Sequence, residues 1–463
     1  MDQKNQNPAR REASPLQRAI TFLRWAYVGL PFFLITGLID YRFHNYLWPA
    51  ADRLRPLKPL FLFDFFSAYD GYALLLLAVG GLVGAASLIV NKGLKPGRAV
   101  GWLKNLRPRW LYLAALLTLL GVLSSYFLTT PIEPRIHSFR WYAGLQFVLP
   151  IAIFLLGSLI IRGERWRRRL LVSWMSCFGL LALGGIGEFF TDLLPGVNKD
   201  FLGRLVWPYI DPFVPNKPES ANWLSYLFAP TFLIALTELT RRLKKGRSII
   251  LEAGVALSSL MALLLTQSYA GIGAVAIVAT LWLFWQLGRK GKIILVIGVL
   301  LVGVVGIATQ YDSPKFQILL GNYKKENSVE RRAQIYTVAV GMLREDPIAG
   351  IGPGNFQSSF KEKMSDFLEA PIPNEEVPPH PHNLILYFWS ELGVLGLLAL
   401  ILIYSGTLGE LLLKRSTAAV VVSYLLIHGL VDVPYGLGET STVFWLTLLL
   451  VVISYRQELS DKN

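Results

Sequence analysis

Apolar positions in this chain neither alternate with polar ones nor recur as a narrow stripe. They run on for about twenty residues at a time. Such runs lie near 21–39, 71–90, 110–128, 142–161, 170–191, 222–240, 248–267, 270–287, 291–308, 383–405, 416–433 and 440–455. A hydrocarbon core of ~30 Å takes about 20 helical residues at about 1.5 Å each. The pattern therefore predicts an all-α integral membrane protein with about 12 transmembrane helices. The seventh and eighth runs are one continuous apolar stretch from Ile249 to Leu287, too long for a single span. Its interruption, Gln267-Ser268-Tyr269-Ala270-Gly271, is the expected hairpin. The first run starts some way in from the N-terminus and carries no small-residue cleavage site, so it reads as a retained span.

Composition agrees. Hydrophobic residues make up 53% of the 463 positions and charged residues only 16%, with a mean hydropathy of +0.45. An ordinary soluble protein is about 25% charged. The lone cysteine, Cys177, excludes an intrachain disulfide framework and a cysteine-rich metal site.

A net charge of +14 would by itself invite a nucleic-acid partner. Sorted along the alternating loops, it becomes a topology signal instead. Lys and Arg concentrate in the two termini and in the loops near 91–109, 162–169, 241–247, 288–292 and 406–415. The other loops are nearly balanced. By the positive-inside rule both termini are cytoplasmic, and no nucleic-acid partner is expected. Arg165–Arg169 and Arg241–Lys245 read as anchors on an anionic inner leaflet, with Glu238 and Glu252 solvated beside them. The expected organisation is a cytoplasmic tail over 1–20, spans one to nine over 21–308, a large extracytoplasmic loop over 309–382, spans ten to twelve over 383–455, and a cytoplasmic tail over 456–463.

That loop is far longer than a connection needs to be, and it carries structure of its own. Residues 329–345 predict a helix with a polar stripe of Glu330, Gln334, Thr337, Gly341 and Glu345, lying on the membrane or on the bundle. Pro347 ends it. Gly350-x-Gly352-x-Gly354 follows, which lacks the Lys-Ser/Thr of a phosphate loop and reads as a tight turn. A second helix is expected over 356–369, and then a proline-rich approach to span ten.

Candidate chemistry gathers on the same side. All five histidines (His44, His137, His380, His382 and His428) fall at or near the outer face. His380-Pro381-His382-Asn383 is the sharpest feature. Its prolines forbid helix up to the start of span ten. An imidazole at a helix N-terminus stays neutral and can act as a base, and the free N–H groups there suit an anion. The bland reading is a helix cap beside an interfacial histidine. Two imidazoles supply two zinc ligands, but spacing offers no third, although Glu375 and Glu376 are near. Arg331 and Arg332 open the amphipathic helix and suit phosphate; snorkelling to headgroups is the alternative. Arg135 and Arg140 lie in a smaller outer loop. Glu391 lies nine residues beyond His382, about 900° round the helix, so it should bond another polar partner. Glu188 ends span five on the same side.

At these residues the chain resembles the O-antigen ligase and O-antigen polymerase superfamily. Arg332, Tyr336, Asp346-Pro347, Gly350-Ile-Gly352 and Phe356 are similar to the family's outer-loop pattern. His380-Pro-His382-Asn383 followed by Glu391-Leu-Gly393-Val-Leu-Gly396 is similar to its second pattern. Where the family often has Ser-Arg-Gly at the preceding hairpin, this chain has Ser268-Tyr269-Ala270-Gly271. The resemblance implies a GT-C-like glycosyltransferase of the bacterial plasma membrane. Such an enzyme moves a glycan from a polyprenyl-pyrophosphate carrier to a hydroxyl on a glycan or glycolipid acceptor at the outer face, with no cofactor and no metal. It implies pyrophosphate binding by Arg332 and Arg331, with the missing hairpin arginine's contact either unfilled or supplied by Arg140, Arg135 or Arg204. His382 and His380 would be catalytic, and Asn383, Glu391 and Glu188 supporting. Rival readings are a polymerase of the same superfamily and a twelve-span transporter or flippase, although internal repeats and midplane charges are both missing.

Overall fold

The computed structural model describes residues 14–35, 68–90, 107–129, 136–191, 205, 221–322, 328–373, 377–414, 416–435 and 438–460. Every apolar run predicted above falls on a helix. In chain order these are α1 (Pro15–Val28), α2 (Ala68–Val90), α3 (Arg109–Leu128), α4 (Ile136–Ile160), α5 (Glu164–Thr191), α6 (Ala221–Leu243), α7 (Ile250–Leu265), α8 (Tyr269–Gln286), α9 (Arg289–Gln310), α10 (Pro314–Leu319), α11 (Ser328–Glu345), α12 (Phe356–Phe367), α13 (Leu384–Gly409), α14 (Thr417–His428) and α15 (Gly438–Ser460). Among the described residues, eight helices are long and apolar enough to cross a membrane, and four shorter apolar ones occupy the remaining runs. Beyond helices, the described backbone has a single bridge, in which the Leu205 N–H donates to the Leu265 carbonyl at 2.8 Å.

Local chemistry explains the helix ends. Ser14 and Gln17 form a capping box with Pro15 in the first turn of α1, which satisfies two donors that would otherwise be stranded. The predicted hairpin is real. Gln267 takes a left-handed φ of 47°, and the Ser268 side chain caps α8 by accepting from the Gly271 N–H. Pro150 and Pro230 lie inside α4 and α6; neighbouring helices can supply the missing bonds. Large apolar side chains stay exposed along the periphery, among them Ile250, Leu257, Ile294 and Leu300. In water such a surface would aggregate; facing acyl chains it costs nothing.

The long segment between α9 and α13 is folded; it holds the two expected helices, α11 and α12, and the short α10, which was not expected. α11 buries Ile335, Val338, Ala339 and Met342 against Phe356, Phe360 and Met364 of α12. Gly341, assigned to the polar stripe, is buried because a Cβ there would come within 2.5 Å of the Phe367 ring. The two helices need a face without a side chain at that point.

The turn between them is pinned to α13. Trp389 Nε1 donates to the Pro347 carbonyl at 2.8 Å. The Ser390 carbonyl accepts from Ile351 and Gly352 at 2.7 and 3.1 Å, and the Val394 N–H donates to the Ile348 carbonyl at 3.0 Å. Glu391 is 2% exposed, and its Oε2 accepts from the Gly354 N–H at 2.6 Å. From α3, Ser125 Oγ donates to the Ala349 carbonyl at 2.7 Å. Glu391 thus does find a polar partner away from His382. Its carboxylate closes the glycine turn.

This docking requires α13 to break at Gly393, where φ is 64° and ψ is −158°. Only glycine holds that conformation cheaply, and a Cβ would also come within 2.8 Å of the Ala349 carbonyl. Gly393→Ala should therefore lower stability by about 2–4 kcal/mol. Gly298 in α9 has open space where its Cβ would go, and Gly298→Ala should be neutral or stabilising by up to about 1 kcal/mol. Thermal melting of the two detergent-purified variants checks the contrast.

Candidate active site

Three segments distant in sequence converge at the end of the bundle beneath the α11–α12 loop. The first is the residues leading into α13. Asn383 is the N-cap, its Oδ1 accepting from the Ile385 and Leu386 N–H groups at 2.9 and 3.0 Å. Its Nδ2 donates to the Leu430 carbonyl at 2.8 Å, and the Leu384 N–H donates to the Gly429 carbonyl at 2.6 Å. The start of α13 is thereby stapled to the end of α14. His382, immediately before the cap, has a left-handed φ of 48°. A non-glycine residue holds that conformation only when its surroundings fix it.

They do so from three sides. The His382 N–H donates to His380 Nδ1 at 3.3 Å. The His382 carbonyl accepts from the Tyr336 hydroxyl at 2.9 Å. The His382 ring places Nδ1 3.1 Å from Asp432 Oδ1. Asp432 is 1% exposed. Burial alone would raise its pKa, but the hydrogen bond from His382 outweighs burial and holds the carboxyl well below the usual range. An ionised Asp432 can only accept, so His382 Nδ1 is the donor, and in the neutral ring Nε2 is the acceptor. This is the arrangement a general base needs. His380 is 7% exposed. Its pKa is lowered to about 3, mainly by burial and then by His382. It stays neutral and holds its neighbour's backbone.

Asp432 is itself supported from beneath. Asn222 Nδ2 donates to its Oδ2, and the Val433 N–H donates to Oδ1 at 2.9 Å. Asn222 Oδ1 accepts from the Ser268 hydroxyl at 2.6 Å. The hairpin serine singled out in the sequence thus lies two hydrogen bonds from the His382–Asp432 pair. Tyr269, where the family often has arginine, sends its hydroxyl to Gln310 Oε1 at 3.3 Å.

α11 contributes the cation. Arg332 and Tyr336 are four residues apart and share a helix face, so the hydroxyl that anchors the helix to His382 also fixes where the guanidinium stands. Arg332 Nε is buried with no hydrogen-bond partner among the described residues. Tyr226 Oη and His428 Nε2 are also buried without partners. These two rings stack at 4.2 Å, and both feel Asp432 and Arg332 electrostatically. The Tyr424 hydroxyl donates its one proton to the Ser225 carbonyl at 2.9 Å. His428 Nδ1, also 2.9 Å from that hydroxyl, is then the donor, which leaves Nε2 as an acceptor. An unpaired buried polar atom costs about 1–3 kcal/mol. Three of them around one carboxylate mark a place where a polar ligand or water belongs.

His380, His382 and Asp432 also form the group among the described residues whose metal-ligating atoms lie within 4.8 Å of one another. The fold supplies the third ligand that sequence spacing did not offer. Yet His380 Nδ1, His382 Nδ1 and both Asp432 oxygens already serve the hydrogen bonds above, which leaves the two Nε2 atoms free.

Of the residues expected at the site, His382, His380, Asn383 and Arg332 come together here. Arg331 lies about 100° round α11 from Arg332 and is half-buried. Glu391 serves the glycine turn. Arg135 and Arg204 lie outside the described residues, as do the side chains of Arg140, His137 and Glu188 and the segments holding His44, Glu375 and Glu376. Asp432, Asn222, Tyr226 and Ser225 were not singled out in the sequence. An Asp just past the end of an apolar run was the one available signal. Glu238 and Glu252 correct the earlier reading: neither is solvated. They are 8% and 2% exposed, paired with Arg167 at 2.9 Å and with Arg242 at 2.5 Å.

Comparison with known proteins bears on this same stretch. Residues 254–401 match the model of the O-antigen ligase family, a range that holds Ser268, Arg332, Tyr336, His382 and Glu391 and stops short of Asp432. Over 149 residues the chain is 30% identical to an O-antigen ligase of Salmonella typhimurium, a match covering 30% of this chain and 34% of that protein. The chain thus spans about a third of the length of this curated relative. The multi-pass helical architecture, the two motif patterns and both comparisons agree: over residues 254–401 this membrane protein is similar to the O-antigen ligase family.

Proposed function

We propose that the protein is a metal-independent glycosyltransferase of the bacterial plasma membrane. In this reading it transfers a glycan from a polyprenyl-pyrophosphate carrier to a hydroxyl on a glycan or glycolipid acceptor at the outer face. The observation that carries the reading is the His382–Asp432 pair standing beside an arginine whose buried Nε has no hydrogen-bond partner among the described residues.

The chemistry divides between them. The acceptor oxygen attacks the anomeric carbon, and the bond from that carbon to the pyrophosphate oxygen breaks. The hydroxyl proton passes to His382 Nε2, and Asp432 stabilises the imidazolium that forms. Negative charge grows on the departing pyrophosphate, where Arg332 meets it in a site screened from water. Arg331, Arg135 and Arg140 are further candidate cations for the pyrophosphate. Tyr336 and His380 position His382, and Asn383 fixes the start of the helix behind it. The polyprenyl chain would lie among the lipid-facing helices.

Polymerase and ligase differ only in the acceptor, and these residues serve either. Transport is disfavoured because the polar cluster lies at helix ends beneath a folded loop, whereas transporter sites lie near the bilayer midplane.

The test is turnover of a polyprenyl-pyrophosphate-linked glycan by purified protein in nanodiscs, with EDTA throughout. Wild type should release the carrier. His382→Ala should lower kcat by about 10²–10⁴, and Arg332→Ala by about 10²–10³. Asp432→Asn, which removes the fixed acceptor for Nδ1–H, should fall in the range of His382→Ala. Wild type that leaves every carrier intact while moving it across the bilayer would transfer the case to the flippase. Loss of wild-type turnover with EDTA, restored by zinc, would make His380, His382 and Asp432 ligands instead.

A second outcome follows from His380. Its folded pKa of about 3 lies below the ordinary value of about 6.5, so the unfolded chain binds the proton more readily. The stability it contributes is complete above about pH 6.5 and is lost as pH falls from there towards 3. Melting temperature against pH should therefore be flatter in His380→Gln than in wild type across that window.

A further inference from the structure

The cluster of arginines at the other end of the bundle has no part in the chemistry above. It surrounds a cavity of about 720 Å³ where α1, α5, α6 and α7 meet. α6 runs from Asn222 beside Asp432 to Arg242 in this cavity, about 30 Å at about 1.5 Å per residue. The two places are a helix length apart.

The carboxylates of the cavity wall are already matched. Arg167 donates to Glu164 at 2.7 and 3.0 Å and to Glu238 at 2.9 Å. Arg241 bridges Glu164 and Glu238, each at 2.9 Å. Arg242 pairs with Glu252. Three carboxylates thus compensate three guanidiniums. Arg165, Arg168, Arg169 and Arg247 line the same cavity and have no carboxylate partner among the described residues. Arg169 is held by aromatic faces instead, 4.1 Å over Trp25 and 4.6 Å over Trp166. The excess is anion-binding, and it is built on a rigid ion-paired base.

Two further atoms say more about the occupant. Arg241 Nε and Glu252 Oε2 are buried without hydrogen-bond partners among the described residues, and both residues line the cavity. One needs an acceptor and the other a donor. Apart from Ser173 the rest of the wall is apolar, with Val28, Leu171, Val172 and Met175, and with Trp25 half-exposed at the edge. A ligand that satisfies all of this has a phosphodiester, a free hydroxyl and acyl chains. We propose that the cavity is a specific site for an anionic glycerophospholipid of the phosphatidylglycerol type. Its phosphate lies among the unpaired arginines, its headgroup hydroxyl donates to Glu252, and its acyl chains run against α1 and α5. Basic pockets between membrane helices are suited to such headgroups.

The test uses full-length protein in detergent, read by native mass spectrometry and thermal melting during lipid titration. Phosphatidylglycerol should bind saturably at about one molecule per chain and raise the melting temperature, and phosphatidylcholine and inorganic phosphate should not. Arg168→Gln with Arg247→Gln should weaken phosphatidylglycerol binding about tenfold or more. Because neither arginine has a carboxylate partner among the described residues, melting in lipid-free detergent should be unchanged, and each single variant carries the test if the pair folds poorly. Arg289→Gln with Lys290→Gln, at the start of α9 and outside the cavity, should bind as wild type does. Equal stabilisation by phosphate alone would make this a free-anion site. An equal loss in the α9 variant would reduce it to diffuse surface charge. No response to phosphatidylglycerol would overturn it outright.

Discussion

A buried carboxylate must be paired, and Asp432 is paired with groups from three different parts of the chain. Asn222 reaches it from the start of α6, His382 from the approach to α13, and the Val433 N–H from its own turn. Removing one partner of a buried charge costs about 3–5 kcal/mol, so these elements are held in one arrangement. The bonds radiate outward from there. Asn222 fixes the α7–α8 hairpin through Ser268, and His382 fixes α11 through Tyr336. The position of Arg332, one turn before Tyr336, follows from the same chain of contacts. The cation and the imidazole are therefore set by one anchored network and do not depend on two independently folded loops.

The long segment between α9 and α13 obeys a second constraint of the same type. A segment of that length could hold Arg332 only loosely. Here the backbone turn after α11 is gripped by Trp389, Ser390, Glu391 and Val394, and α13 gives up its regular helix at Gly393 to allow it. Local rules are broken at three neighbouring places: the left-handed His382, the left-handed Gly393 and the buried Glu391. Such breaks concentrate where function requires geometry that regular structure cannot supply.

Hydrophobic pattern made the helices legible because a span announces itself by length alone. The hairpin at Ser268, the α11 helix over Ser328–Glu345 and the Asn383 cap were legible because each rests on neighbours in sequence. Asp432 was not. It sits just past an apolar run, and what makes it important is the approach of Asn222 and His382 from far along the chain. The reading of Glu238 and Glu252 as solvated failed for the same reason. Proximity to a basic loop was visible, but the pairing that buries them comes from helix packing. His382 was already set apart from His380 in sequence by its place at the start of a span. The fold distinguishes them further: the ring of His382 reaches the buried Asp432, and that of His380 accepts its neighbour's N–H.

The two ends of α6 show how one helix can serve opposite electrostatic tasks. At the Asn222 end, the single carboxylate of Asp432 is surrounded by neutral or conditionally charged partners. Its charge remains available to stabilise a histidine that gains a proton. At the Arg242 end, the carboxylates are consumed by arginines, and what is left over is positive. A proton acceptor needs an uncompensated negative charge behind it, whereas a lasting site for an anion needs an uncompensated positive charge around it. The apolar middle of α6, buried from Leu224 through Ala235, keeps those two excesses about a helix length apart, well beyond the ~8–10 Å over which exposed charges act in salt. Each can then be strong without cancelling the other.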